Sequence, residues 1–156
     1  MENLRIETGE IQLQVNGDPT RIISFNPRDV LFAEKLYNLI GELREKQVDL
    51  KDRQLRLDSV TDKDENGLPV NASEILALQR DFNDYMRAKI DNIFGAGTSQ
   101  TAFGDVSVII PINDNVPCAA EQFLTGVAPY IKQARQEKVE KYINPVAERK
   151  TRHKKL

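Results

Sequence analysis

A long run of apolar residues at helical spacing, which starts near residue 31, constrains the fold of this chain more than any other feature. Before the run, Asn26 is the expected helix cap, Pro27 suits the first turn because no amide is needed there, and Asp29 favours the positive end of the helix dipole. The spacing predicts a single helix of about thirty residues, which is too long for a small core to cover completely. Its apolar positions are Leu31, Phe32, Leu36, Leu39, Ile40, Leu43, Val48, Leu50, Leu55 and Leu57.

The segment before this helix predicts a β-hairpin at about residues 10 to 25. The sequence IQLQV alternates apolar and polar residues, NGDPT supplies turn residues, and RIISF is rich in β-branched side chains. We expect Ile11, Leu13 and Val15 to face the helices, because an isolated two-stranded hairpin is only marginally stable.

The sequence DKDENGLPVNASE, residues 62–74, partly matches a calcium-binding loop, which needs oxygen ligands at alternating positions, a central glycine and a glutamate at position 12. The glutamate, Glu74, falls one residue too late, and Pro69 interrupts the loop. We therefore expect an exposed loop between two helices, without a metal site. The residues that do match are Asp62, Asp64, Asn66 and Gly67.

A second helix is predicted after this loop. Asn71, followed three residues later by Glu74, has the spacing of a capping box, and Gly95 is a typical helix end. An apolar stripe runs between them through Ile75, Leu78, Phe82, Tyr85, Met86, Ile90 and Ile93.

The middle of the chain predicts connections rather than long elements. Residues 94–105, FGAGTSQTAFGD, are rich in Gly, Ser and Thr but complete neither phosphate-binding glycine motif, so we interpret them as a structural loop. VSVII, residues 106–110, is compatible with a short buried strand or with an extended crossing segment, and INDNVP after it predicts a turn.

A third helical region follows, in which Gly126 and Pro129 predict a kink or break near Thr125. Beyond it, KQARQEKVEKY continues as a charged helix that Pro145 ends. The apolar stripe of this region consists of Cys118, Phe123, Leu124, Val127, Tyr130, Ile131 and Ala134.

These elements predict a mainly α (α+β) protein with an N-terminal β-hairpin, three long amphipathic helical regions and a flexible basic C-terminal tail. We expect one domain at residues 1–148, with the hairpin at 1–25 and the helical part at 26–148, and a disordered tail at 149–156. Residues 128–156 hold nine lysine and arginine residues against three glutamates, although the whole chain has a net charge of −2. No signal peptide or apolar run long enough to span a membrane is visible.

Composition argues against an enzyme. The chain has a single cysteine, Cys118, and a single histidine, His153, so it offers no internal disulfide, no zinc ligand set and no obvious pair of nucleophile and base. We expect no metal and no cofactor. Cys118 is expected to be a small buried residue near a helix start rather than a reactive thiol.

The block IFGAGTSQTAFGD, followed by EQFLTGVAPYIKQARQEKVEKY, resembles the C-terminal half of small tail assembly chaperones of long-tailed (siphovirus-type) phages and prophages of Gram-positive bacteria. The resemblance covers about residues 93–143. It implies a non-enzymatic protein of the bacterial host cytoplasm that coats the tape-measure protein before the tail tube polymerises and is absent from the finished virion. It also implies a homo-oligomer, and the major tail protein is a second candidate partner.

Six apolar residues of the loop and third helix are our candidates for the groove that binds the partner: Phe94, Phe103, Phe123, Val127, Tyr130 and Ile131. The alternative interpretation is that each of them is an ordinary core residue.

Two other functions compete with a chaperone. The first is a small head–tail or tail component that stays in the virion, because small α+β virion proteins share this composition. The second is a nucleic-acid-binding regulator that uses the basic C-terminal region. It is disfavoured because the chain is net acidic, shows no helix-turn-helix pattern and interleaves its basic residues with glutamates.

Overall fold

The structure, a computed structural model, describes residues 1–136. This part contains two strands and four helices: β1 (Ile11–Val15), β2 (Asp18–Phe25), α1 (Val30–Asp58), α2 (Ala72–Phe94), α3 (Thr98–Phe103) and α4, helical over residues 119–136. The predicted mainly helical fold with an N-terminal hairpin is confirmed. The end of the third helical region, the boundary at residue 148 and the tail at 149–156 lie outside the described residues.

The hairpin forms where the alternating pattern predicts it. Asn16 and Gly17 both have positive φ, of 54° and 72°, which gives the two-residue turn a twist that matches the strands. The antiparallel register places Ile11 opposite Phe25. The prediction that the apolar side of β1 faces the helices is confirmed, since the hairpin packs on the core through Ile11, Leu13, Val15, Ile23 and Phe25.

The helix α1 is 29 residues long, as its spacing predicts, but its cap is Asp29 and not Asn26. The Asp29 carboxylate accepts a hydrogen bond from the amide of Leu31 at 3.0 Å. Asn26 instead accepts one from the Arg28 amide at 3.0 Å and donates to the carbonyl oxygen of Thr8 at 2.6 Å. Asn26 therefore ties the chain before β1 to the chain after β2.

The loop between α1 and α2 is exposed, as predicted, except at its last residue. The Asp64 carboxylate accepts hydrogen bonds from the amides of Asn66 and Leu68, at 2.9 and 3.0 Å, so it closes a turn. The predicted capping box is wrong, because the buried Asn71 side chain makes no cap hydrogen bond and donates to the carbonyl oxygen of Leu57. Asn71 thereby joins the end of α1 to the start of α2.

The segment from residue 94 to 105 is not a simple loop, because it contains the six-residue helix α3. The crossing segment after it forms no strand, so the strand interpretation of VSVII is wrong, and its backbone bends at Val106 and over residues 108–110. Val108 and Ile109 are fully buried there. The amide of Val108 donates to the Asn83 side chain at 2.9 Å, and its carbonyl oxygen accepts from the Ala120 amide at 2.9 Å.

Of the kink or break predicted near Thr125, the break does not occur, because α4 continues through Gly126 and Pro129. Proline removes one amide donor from a helix, and both of these residues are on its exposed side. The opposite side holds the helix against the core through Leu124, Val127, Ile131 and Ala134, all of which are buried.

The core lies between the hairpin, the first half of α1, the second half of α2 and α4. Its largest fully buried side chains are Leu36, Leu43, Met86, Ile90, Ile109, Leu124 and Ile131. No helix within residues 1–136 combines the length and the apolar character that crossing a membrane requires.

Candidate functional site

Five phenylalanines and Tyr130 form one connected aromatic cluster where β2 and the four helices meet. Phe94 is in the middle, with ring centroids 5.1 Å from Phe32, 5.9 Å from Phe25 and 4.9 Å from Phe123. Most of the pairs meet edge to face, which is a favourable aromatic geometry. The remaining contacts in the cluster join Phe25 to Phe32, Phe103 to Phe123 and Phe25 to Tyr130.

The six predicted site residues fall into two groups. Four are rings of this cluster: Phe94, Phe103 and Phe123 are half-buried, and Tyr130 is 37% exposed. We call these four the aromatic surface. The other two, Val127 and Ile131, are buried in the core, so in this conformation they support α4 from beneath and present no surface to a partner.

Charged side chains hold α3 at both ends, which fixes Phe103 in the aromatic surface. The Asp91 carboxylate accepts hydrogen bonds from the Ser99 amide at 2.7 Å and the Ser99 hydroxyl at 3.1 Å, next to the helix N-terminus. Arg21 donates to the carbonyl oxygens of residues 101 and 102, and Arg87 to those of residues 104 and 106. A negative group at the start and positive groups at the end both match the helix dipole.

A second apolar surface runs along the outside of α1. At about 100° per residue, Val30, Tyr37, Gly41, Val48 and Leu55 lie within about 20° of one line, on a face away from the core. The four side chains are 60%, 45%, 62% and 59% exposed, and the space where a Gly41 side chain would be is open. We call this surface the α1 stripe. It is about 38 Å long, at 1.5 Å per residue.

The charges beside the α1 stripe are sorted by sign. By the same helical geometry, Glu34, Glu45 and Asp52 lie along one side of it, whereas Arg44 and Lys51 lie along the other. All five residues are exposed. An apolar line between an acidic and a basic edge is typical of a surface that receives another helix.

The outer part of α1 and the first part of α2 project from the core as a two-helix arm, residues 44–81. Asn71 is the sole buried residue in this arm. Between the helices, a solvent-open groove of about 290 Å³ has an apolar floor of Leu50, Leu78, Phe82 and Tyr85 and a rim of Lys46, Asp49, Arg53 and Asp81. The arm therefore exposes apolar groups both on the α1 stripe and in this groove.

Sequence reasoning missed the α1 stripe as a site, although it recorded Val48 and Leu55 as apolar positions. Those two residues belong to the same run as Leu50 and Leu57, which face α2 and are half-buried. The seven-residue spacing of Val30 and Tyr37 and of Val48 and Leu55 marks a line, but Leu50 and Leu57 have the same spacing, so the sequence does not say which line stays exposed.

Cys118 is fully buried at the entry to α4, as predicted. Burial raises the pKa of its thiol, and Gln47 Nε2 donates to Sγ at 3.3 Å. A buried, protonated thiol is a poor nucleophile. Within residues 1–136, no three His, Cys, Asp or Glu side chains are arranged to hold a metal ion.

Comparison with known proteins does not assign the chain to a family. No family model matches it, and neither a curated protein nor a solved structure does so. The features of the chain that point to a function are the α1 stripe, the aromatic surface and the sequence resemblance.

Proposed function

We propose that this protein is a phage tail assembly chaperone that binds helical segments of the tape-measure protein and keeps them soluble until the tail tube assembles around them. The observation that carries the proposal is the α1 stripe, an exposed apolar line at the spacing of a helix interface. The resemblance of residues 93–143 to such chaperones gives independent support and implies the class of partner.

The spacing of the α1 stripe suits a long helical partner. Its members are separated by seven, four, seven and seven residues, and a repeat of seven is the period at which two helices stay in contact. Because four side chains over about 38 Å leave gaps, each contact is weak, and affinity accumulates along the length. A long polypeptide with sparse apolar stripes is the partner that such a surface fits.

The sorted charges beside the stripe add a direction to this binding. A partner helix in register would place basic residues along the acidic edge of Glu34, Glu45 and Asp52 and acidic residues along the edge of Arg44 and Lys51. Such charges contribute more to orientation and encounter rate than to affinity. Binding by this surface would therefore weaken at high salt without being abolished.

The aromatic surface is a second contact in this proposal. Tyr130 has an apolar ring and a hydroxyl at the protein surface, which is a combination common in partner-binding sites. Phe94, Phe103 and Phe123 expose part of their rings beside it. Two surfaces on one chaperone would allow one chain to hold two points of a long partner.

The test is co-expression with segments of the tape-measure protein from the same phage genome. We expect the wild-type chain to keep these segments soluble and to co-purify with them. Val48→Asp and Leu55→Asp, alone and together, place a carboxylate in the α1 stripe and should abolish both effects. Their free energy of unfolding should change by less than about 0.5 kcal/mol, because both positions are exposed.

The matched control is Asn38→Asp, which adds the same charge to an exposed position of α1, about 80° around the helix from the stripe. This variant should retain full activity. If Val48→Asp, Leu55→Asp and the double variant solubilised the partner as well as Asn38→Asp does, the α1 stripe would not be its binding site.

A component retained in the virion is separated from a chaperone by mass spectrometry of purified particles. The proposal predicts few or no peptides from this chain in mature particles and abundant peptides in assembly intermediates. Stoichiometric amounts in mature particles would instead identify a structural tail protein.

A further inference from the structure

Residues 1–7 belong to no helix or strand, and residues 3–7 alternate polar and apolar side chains. Arg5 contacts the Glu7 carboxylate through Nε at 3.1 Å and Nη2 at 3.0 Å, so these two side chains lie on the same side. In an extended chain the alternate residues point the other way, and Leu4 and Ile6 are there, 88% and 70% exposed. This is the alternation of a half-buried strand that has no sheet to bury it.

The path of this segment is fixed where it meets the hairpin. The Thr8 carbonyl oxygen is held by Asn26 at 2.6 Å, and Gly9 has a positive φ of 88°. A Cβ atom at Gly9 would come within 2.9 Å of the Arg28 side chain, so the backbone passes close beside the turn into α1. The chain therefore passes beside the turn into α1 just before it enters β1.

The hairpin has a gap that one more strand would fill. Its inward-facing residues on β2, Ile23 and Phe25, are 5% and 4% exposed. Those on β1, which are Ile11, Leu13 and Val15, remain half-buried although they point to the same side. The difference arises because β2 also packs against α2 and α3, whereas β1 pairs with β2 alone within the described residues, which leaves its outer edge open.

We infer that residues 1–7 dock as a third strand against β1 of a second copy of this chain, with Leu4 and Ile6 facing inward beside Ile11 and Leu13. Main-chain hydrogen bonds would pair the open edge, and the two apolar side chains would cover the gap. Arg5 and Glu7 would lie on the outer face with Gln12 and Gln14, which are exposed and uncharged. The exchange is reciprocal, because each copy supplies one segment and one edge.

The second copy is the occupant that fits because one chain carries both complementary parts. The area is also sufficient: a seven-residue extended segment has a surface of roughly 1,100 Å². Suppose that half of each exchanged segment becomes buried and that each segment covers an equal area of the copy that receives it. The two segments together then bury about 2,200 Å², which is typical of a stable dimer. This inference does not depend on the proposed function.

The first experiment measures the mass of the full chain in solution by sedimentation velocity, at concentrations up to about 100 μM. We expect a dimer or a larger even assembly. Leu4→Ser with Ile6→Ser should raise the dissociation constant about a hundredfold, because four apolar side chains per dimer lose their burial. Arg5→Ser with Glu7→Ser, in the same segment but on its polar side, should leave the assembly unchanged.

The second experiment distinguishes docking of residues 1–7 on β1 of a second copy from docking on β1 of the same chain. Chains with Arg5→Cys are mixed with chains with Gln12→Cys or Gln14→Cys and oxidised mildly, while the buried native Cys118 stays protected. We expect mixed disulfides between the two kinds of chain, and none with Gln133→Cys on the exposed side of α4. A monomer at all concentrations, a dimer that persists in Leu4→Ser with Ile6→Ser, or a disulfide within single chains that carry both cysteines would overturn the inference.

Discussion

The two halves of α1 have the same backbone conformation and very different surroundings. The inner half, residues 30–43, contains six buried apolar residues: Phe32, Ala33, Leu36, Leu39, Ile40 and Leu43. The outer half, residues 44–58, contains none, and nine of its fifteen residues are charged. The difference shows that the helix is continuous because of local sequence, whereas its burial is decided by what packs against each half.

The outer half is held by weaker means. Its residues are mostly good helix formers, Asp49 and Arg53 pair one turn apart at 3.3 Å, and Leu50 and Leu57 are half-buried against α2. Elements with few buried contacts open at lower free energy than the core. An outer half that can adjust without unfolding the core is compatible with a surface that adapts to a long partner.

The largest expected effect comes from comparing two leucines of α1. Leu36→Ala should lower the free energy of unfolding by about 3 kcal/mol, because it removes a fully buried side chain and leaves a cavity. Leu55→Ala, at a position that is mostly exposed, should change it by less than about 0.5 kcal/mol. Urea denaturation of both variants measures the difference, and equal losses would mean that the two halves form one uniform core.

The second prediction concerns pH and the boundary between the halves, where Gln47 of the outer half contacts Cys118 of the core. Burial raises the pKa of the thiol above its ordinary value of 9.0, so the unfolded chain releases this proton first. The stabilising effect is complete below pH 9 and is lost as the pH rises toward the folded pKa.

Stability should therefore fall above pH 9 by up to about 1.4 kcal/mol per pH unit more in the wild type than in Cys118→Ala. Unfolding curves at several pH values between 8 and 10.5 provide the measurement. If the free energy of unfolding fell equally with pH in the two proteins, water would have to reach the thiol. The boundary between the halves of α1 would then lie closer to Leu43.

The third prediction tests whether the halves unfold together. Lys35→Gly and Lys51→Gly make the same change at exposed positions, one in each half, and glycine costs about 1 kcal/mol in a helix interior. We expect the full cost in global stability for Lys35→Gly and less than half of it for Lys51→Gly. Hydrogen exchange of amides in residues 44–58 should instead accelerate in Lys51→Gly; equal global losses would indicate a single cooperative unit.

The smallest effect is expected from the ion pair of the outer half. Arg53→Ala removes the contact with Asp49, and exposed pairs at this spacing contribute about 0.3–0.5 kcal/mol. The helical signal in circular dichroism should decrease slightly, and added salt should produce a similar decrease in the wild type. A loss above about 1 kcal/mol would mean that charges, rather than helix propensity, maintain the outer half.

Much of the fold follows from local sequence. The hairpin and the length of α1 were predictable because the alternating strands, the Asn-Gly turn and the apolar spacing are local signals. The helix α3 was not, because Gly, Ser and Thr favour a loop, and the groups that stabilise the helix come from Arg21, Arg87 and Asp91, two of them on α2 and one on β2.

Helix caps and the partner surface were also hard to predict, because both depend on groups that are distant in the sequence. Asn71 has the position of a capping residue, but its side chain donates a hydrogen bond to the carbonyl oxygen of Leu57 instead. Nothing in the sequence indicates this contact. In the candidate site, the rings of Phe94 and Phe103 both contact that of Phe123, whereas Tyr130 joins them through Phe25. The α1 stripe was not identified, because a helix with two apolar lines does not reveal which one the core will cover.

The hydrogen bonds that Arg21, Arg87 and Asp91 make to α3 and its ends also determine when that helix can form. Arg21 donates to the carbonyl oxygens of Thr101 and Ala102, so each contact closes a loop of about eighty residues, and a six-residue helix does not persist by itself. The hairpin and α2 must therefore be in place before α3 is stable, which makes this helix a late event in folding. Removing the two Arg21 hydrogen bonds by Arg21→Ala should accelerate unfolding and leave the folding rate almost unchanged.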